Sequence, residues 1–336
     1  MRPAGRRRRR RGRRAGDHQA GAPLTGLATA LVVLGALAID LAFGEPPNRW
    51  HPVAWIGTAL GAGRDRLCRG GPARLVLAGA AVTLVVTGIA ALAGGALAHV
   101  AAVLGPAGLV LEALALKMTL SARRLAAAAR GVGRDLERND LTAARTAVGR
   151  HLVSRSTVTL DASRVASAAV ESVAENLTDA ITAPLLFYLA FGLPGAFAYR
   201  ALNTADAMLG YREGALEHFG KVAARLDDLA NLAPTRLGAL ALVVAAALVG
   251  ADGRRAWRAM WRDHARTSSP NAGWTMAAMA GALGVRLEKP GHYVLGNGRL
   301  PGVCDIEAAI RVMKAAATLI TAMVAGLAFV LGTVIW

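Results

Sequence analysis

From Leu75 to Leu116 the chain is almost continuously apolar, with Gly105-Pro106 inside the run. A membrane span needs roughly 20 such residues, so the run has room for two spans, 75–97 and 99–116, joined tightly. Further apolar segments lie at Leu24–Leu41, Ile181–Ala198 (which contains Pro184 and Pro194), Leu237–Val249 and Ala315–Trp336. Of the 336 residues 54% are hydrophobic, and the mean hydropathy of +0.39 is too high for an ordinary soluble protein. Aromatics are only 5%, so the interior must pack with small and aliphatic side chains, which let membrane helices approach closely. The expected fold is all-α: a polytopic integral membrane helical protein with extramembrane helical segments. Residues 1–23 read as a disordered arginine-rich tail and 24–336 as a single membrane-embedded domain. No internal repeat is visible.

The formal charge of +17 is unevenly spread, because residues 1–20 contribute +8 through nine arginines and one aspartate. Like charges in a run repel and stay solvated, so this tail can touch anionic lipid without forming a specific site. No aromatic-interleaved basic motif accompanies it, which argues against nucleic acid as a partner. Cys68 and Cys304 are too few for a disulfide framework, and the seven histidines lack zinc spacing. Ala36-Leu37-Ala38 resembles a signal-peptide cleavage site, but further spans follow, so a retained membrane segment is the simpler reading. Lys117 to about Ala180 is rich in Ala, Arg and Asp and is expected to be helical outside the hydrocarbon. Positive-charge counting puts both the tail and this region in the cytoplasm. If 24–41, 75–97, 99–116 and 181–198 all crossed, the polar motifs flanking 181–198 would face opposite compartments. Ile181–Ala198 is therefore expected to be buried or re-entrant. The protein reads as multi-pass in the cell membrane, with a cytoplasmic active site.

The polar motifs are costly in such a background unless something pairs with them. Glu171, Glu175 and Asp179 fall at i, i+4 and i+8, one acidic stripe on a helix, with Asn176 beside it. Such a stripe can hold Mg²⁺ through oxygen ligands or deprotonate an amine; a solvated helix face is the bland alternative. Asp227, Asp228 and Asn231 form a second group with Arg225 and Arg236 nearby. Carboxylates beside guanidiniums suit a Mg–nucleotide complex, or an internal ion-pair network. Asn203, Thr204 and Asp206 fit a polar contact or a helix start. Ser269-Pro270-Asn271-Ala272-Gly273 is a turn with donors and acceptors. In Val153-Ser154-Arg155-Ser156-Thr157, Arg155 suits phosphate and the alternative is a helix cap. Gly214 to Gly220-Lys221 has the wrong spacing for a Walker loop, and Val222 stands where Ser or Thr is required.

Taken in order, these pieces resemble the CobD/CbiB family of cobalamin-biosynthesis membrane proteins, the adenosylcobinamide-phosphate synthases. The likeness runs from about Leu31 to Arg311. It includes Ile39-Asp40-Leu41, Gly44-Glu45-Pro46, His51-Pro52-Val53, Glu171 to Asn176, Asn203 to Tyr211, Phe219-Gly220, Arg225 to Asp228, Asn231 and Ser269 to Gly273. Ser156 stands where the family usually has Asp, and Gly44-Glu45-Pro46 where it often has Gly-Asp-Pro. The resemblance implies ATP-dependent joining of a propionate carboxyl of adenosylcobyric acid to (R)-1-amino-2-propanol, or its phosphate, as an amide. For that chemistry Asp227 and Asp228 are expected on Mg²⁺, Arg225 on phosphate, and Glu171 or Glu175 positioning or deprotonating the amine. Asn176, Asn203 and Asn271 would meet corrinoid amides, with His51, Arg155, Asp206, Asn231, Arg236 and Ser269 as further substrate contacts. Partners would be the corrinoid, the amine and membrane lipid, with homo-oligomerisation left open. The competing readings are a non-enzymatic membrane sensor of the same fold and a transporter.

Overall fold

Alanine and leucine, both strong helix formers, fill the chain. In the computed structural model, which describes residues 22–153 and 156–334, nearly every segment is helical. The arginine-rich tail and Arg155 lie outside the described residues. The helices are α1 (Ala22–Phe43), α2 (Pro52–Leu67), α3 (Pro72–Val103), α4 (Gly108–Lys117), α5 (Ala122–Glu137), α6 (Leu141–His151) and α7 (Ala162–Leu177). They continue as α8 (Ala183–Leu209), α9 (Leu216–Phe219), α10 (Lys221–Ala230), α11 (Leu232–Leu248), α12 (Gly253–Asp263) and α13 (Ala272–Leu283). An antiparallel hairpin, β1 (Leu287–Lys289) and β2 (Tyr293–Leu295), precedes α14 (Val303–Val334). Among the described residues four helical runs are long and apolar enough to cross a membrane by length and composition (in α1, α3 and α14, and the run Ala162–Leu209 that takes in α7 and α8), or five if the α10–α11 pair, bent by 49°, is one span.

The outer faces fit lipid. Helix α3 turns Leu77, Leu84, Ile89 and Leu92 outward. Close helix contacts use small residues: a Cβ on Gly26 of α1 would come within 2.8 Å of the Phe329 carbonyl of α14. Ala30, Val32, Val33, Ala36 and Leu37 of α1 are buried in the main core, so this helix is integral to the packing. Helix α7 sits at the centre. Val165 to Ala174 are buried without interruption, the pattern of a helix surrounded on all sides.

Three expectations change. The run to Leu116 holds one long helix, not two spans: α3 takes residues 72–103, the chain turns at Gly105 (φ +58°), and α4 has ten residues, about 15 Å at 1.5 Å each. Apolar composition does not separate a lipid-facing span from a short helix packed between α1 and α3. Nor is 117–180 all peripheral: α5 and α6 are amphipathic, but α7 is core. Finally, α14 begins at Val303, well before the apolar run from Ala315.

Ile181–Ala198 folds back on itself. A π-helical turn, Thr178–Thr182, joins α7 to α8, and Gly192 breaks α8 at φ 64°, ψ −158°. The Phe187 and Tyr199 rings stack at 5.1 Å, and the Tyr199 hydroxyl lies 3.0 Å from Asp179 Oδ1. In a straight helix Asp179 and Tyr199 would be about 30 Å apart. The segment is thus a helical hairpin with its tip at Gly192, seated on α3 where a Cβ at Gly94 would meet the Leu193 carbonyl at 2.6 Å.

Candidate functional site

The fold-back brings both polar groups of the sequence to one cavity of about 910 Å³. Glu175, Thr178 and Asp179 reach it from α7 and the π turn, Asp206 from α8, and Asp227, Asp228 and Asn231 from α10. Ser269, Asn271 and Thr275 close it at the start of α13, and Lys289 and His292 come from the β-hairpin. Six carboxylates line the wall (Glu175, Asp179, Asp206, Glu213, Asp227 and Asp228), against the cations Arg212 and Lys289. Carboxylates crowded in this way are relieved by sharing protons or by a cationic ligand.

The deep wall is a chain of hydrogen bonds. The Tyr199 hydroxyl also lies 2.9 Å from Asn231 Oδ1. Asn231 Nδ2 donates to Asp227 Oδ2 at 2.9 Å, and Asn203 Nδ2 approaches Asp227 Oδ1 at 3.5 Å. Arg200 Nη1 donates to the Asp179 carbonyl and to Asn203 Oδ1, both at 3.2 Å. Asp227 is thus buried on neutral amides while Asp179 and Asp206 act on it as like charges. Asp228 is held differently. Ser269 Oγ donates to its Oδ1 at 3.4 Å and Asn271 Nδ2 to its carbonyl at 2.7 Å. Arg236 in turn donates to Asn271 Oδ1 at 2.8 Å and sits 5.0 Å over the Trp274 ring. Glu175 is exposed where α7 meets the cavity.

The fit to Mg²⁺ can be judged from these donors. Among the described residues no three carboxylates, histidines or cysteines converge tightly enough to chelate an ion alone. Mg²⁺ is commonly held by one or two carboxylates together with substrate phosphates, and Asp227 and Asp228 supply that pair. The Thr178 hydroxyl of the same wall is buried without a hydrogen-bond partner and lies toward Gly238 of α11. Asp227 and Asp228 are thus the donors that fit an ion delivered with a phosphate.

Other expected residues fall elsewhere. Glu171 does not line the cavity. It is buried, takes the Ser167 hydroxyl at 2.9 Å and the Tyr293 hydroxyl at 3.0 Å, and so fastens the β-hairpin to α7. Arg225 is exposed and reaches Asp228 Oδ2 only at 3.8 Å. Asn203 stands behind Asp227, and Arg236 behind Asn271. Asn176 and His51 line a second cavity, of about 630 Å³, with Arg124, Arg150, His151 and Arg200. There His51 caps α2 through Nδ1 and bonds Glu45 through Nε2. Lys117, buried, lies 3.3 Å from Glu45 Oε2 and 3.6 Å from Asp40 Oδ1. Burial alone would push Glu45 up; the His51 bond and the Lys117 charge outweigh it and hold the carboxyl below its ordinary range.

Sequence reasoning gave no role to Arg200, Tyr199, Lys289 or His292. The last two sit in a Gly/Pro-rich stretch from Lys289 to Gly302. Asp263 anchors their hairpin: buried, it accepts Gly296 N–H at 2.8 Å and the Arg262 guanidinium at 2.6 and 2.9 Å.

Known proteins share this framework. The chain matches the family described as CobD/Cbib protein over residues 33–327. It is 42% identical over 268 residues to the Cobalamin biosynthesis protein CobD of Dehalococcoides mccartyi (strain CBDB1), covering 80% of this chain and 86% of that one. The Cobalamin biosynthesis protein CobD of Citrobacter koseri is 40% identical over 308 residues, covering 88% of this chain and 96% of that one. The Probable cobalamin biosynthesis protein CobD of Methanothermobacter thermautotrophicus is 42% identical over 266 residues. No solved structure matches. The family match takes in the whole acidic cavity, and the chain belongs to the CobD/CbiB family of cobalamin biosynthesis.

Proposed function

We propose that this protein is a ligase that joins a propionate carboxyl of adenosylcobyric acid to (R)-1-amino-2-propanol, or its phosphate, at the expense of ATP. The observation that carries the reading is the convergence of Glu175, Asp206, Asp227 and Asp228, from three helices, on one strongly acidic cavity. A carboxylate is a poor acyl donor until it is phosphorylated, and an aminoalcohol is protonated near neutral pH. Such a cavity attracts the ammonium form. Glu175 takes its proton, and the freed amine attacks the activated carbonyl as phosphate leaves. Asp227 and Asp228 would hold Mg²⁺, which supplies neutralisation of phosphate charge during phosphoryl transfer. Lys289 and Arg212 are the two cations set against these carboxylates. Ser269, Asn271 and Arg236 keep Asp228 in position. We place the protein in the cell membrane with this cavity on the cytoplasmic side, where ATP is available and where positive-charge counting puts the loops.

The test is amide formation by the full-length protein in detergent, followed by mass spectrometry with adenosylcobyric acid, ATP and either amine. Wild type should form product only with all three components. Asp228→Ala should abolish it while membrane insertion is unchanged. A near-normal rate in that variant removes Asp228 from the mechanism.

A further inference from the structure

The second cavity lies across the π-helical turn from the first. Asn176 and Ala180 face it, while Glu175, Thr178 and Asp179 face the acidic side. Its electrostatics are opposite. Arg124, Arg150, Arg200, His51 and His151 line it, and its one carboxylate, Glu45, is engaged by His51 and Lys117. Arg124 and Arg150 have no ion-pair partner among the described residues. Arg200 spends Nη1 on Asp179 and Asn203, but its buried Nε has no hydrogen-bond partner.

Three guanidiniums around about 630 Å³, with no free acid among them, leave uncompensated positive charge in a concave site. Guanidinium forks match phosphate oxygens, and a buried N–H without a partner is costly unless a ligand satisfies it. The cavity walls come from residues 45–54, α5, the end of α6, the π-turn region and α8, and the three arginines stand on α5, α6 and α8. Ser172 Oγ donates to the Leu152 carbonyl at 2.9 Å and so ties the end of the α6 segment to α7.

We infer that this second cavity binds the phosphoryl group of a small phosphorylated substrate, gripped by Arg124, Arg150 and Arg200, on the face of the π turn opposite the acidic cavity. The shared chemistry is a phosphate dianion on a small molecule. Since the ATP phosphates belong with Asp227 and Asp228 in the acidic cavity, the source taken here is the phosphorylated aminoalcohol; in that choice the inference rests on the ligation reading above, while the charge and geometry do not.

Binding without turnover separates the two. The full-length protein in nanodiscs is titrated calorimetrically with ATP, with (R)-1-amino-2-propanol phosphate and with the unphosphorylated amine. The combined variant Arg124→Gln/Arg150→Gln, altered at exposed positions, is compared with wild type and with Arg138→Gln, an exposed charge control just past the end of α5 and outside the cavity. At least one phosphorylated probe should bind wild type and Arg138→Gln alike, weaken at least tenfold in the double variant, and weaken with added salt. Arg200→Gln should weaken it as well. Which probe responds identifies the source. Equal binding in wild type and the double variant, or no binding of either phosphorylated probe to wild type, overturns the inference. Phosphate binding that depends on Arg124 and Arg150 in a protein that forms no amide would leave the inference standing and sink the ligation reading.

Discussion

Gly192→Ala isolates the reversal on which the acidic cavity depends. At φ 64°, ψ −158° this residue occupies a region that is essentially glycine-only. The added methyl group would meet nothing closer than Pro194 Cδ at 3.7 Å, an ordinary contact. Space is therefore not the obstacle, and the whole penalty is backbone strain, about 1–3 kcal/mol. If the chain relieves that strain by straightening, the Phe187–Tyr199 stack and the Tyr199–Asp179 bond are lost with it. The measurement is denaturant unfolding in mixed micelles beside the amide-forming rate. Gly88→Ala is the control, since Gly88 is an exposed interior residue of helix α3 with open space around its Cα. It should stabilise, by up to about 1 kcal/mol, as alanine does in helices. Gly192→Ala should destabilise by 1–3 kcal/mol on the same strain argument and lower the rate in parallel. A Gly192→Ala protein as stable and as active as wild type would refute a reversal hinged at that residue.

Three further outcomes follow from the same geometry. Glu175→Gln should cost at least tenfold in amide formation, whereas Glu171→Gln, which keeps its Ser167 and Tyr293 contacts as an amide, should cost clearly less; the reverse order would move the base to Glu171. Single cysteines at Ser156 and Glu213, in a background lacking Cys68 and Cys304, should be labelled from the same side of the membrane; opposite labelling would refute a hairpin at 181–198. Burial would push Asp263 up, but Arg262 and the Gly296 N–H hold its carboxyl below the usual range. Its stabilisation is therefore full above the unfolded value near pH 4 and fades as pH falls through the folded one. Asp263→Ala should remove about 1–3 kcal/mol, chiefly by orphaning the Gly296 N–H, and should flatten the acid limb of the stability curve; an unchanged limb assigns that limb to other groups.

Much of the acidic cavity was legible because its residues come in short runs. Asp227, Asp228 and Asn231 are held together by one turn of α10, and Glu175 stands out as a carboxylate in an alanine-rich helix. What was hidden depends on angle and on distant chain. Glu171 and Glu175 share a stripe, but Tyr293, over a hundred residues on, covers the first and leaves the second open. Asn176 follows Glu175 directly, yet one residue is about 100° of helix, enough to put it in the other cavity. The hairpin at Gly192 was legible only as a conflict between charge counting and crossing number, and the extent of α3 not at all, since apolar runs carry no mark of where lipid ends and protein begins.

The π turn between the cavities has a thermodynamic consequence. Thr178–Thr182 and the last turn of α7 form one thin wall with a ligand face on each side. Arg200 crosses it, bonded to the Asp179 carbonyl from the basic side. A ligand that draws Arg200 toward one cavity changes how firmly Asp179 is held in the other. Coupling of that kind is reciprocal: whatever factor filling the basic cavity puts on affinity in the acidic one must be returned in equal measure. In such an arrangement the order in which substrates arrive is a property of the wall as much as of either pocket.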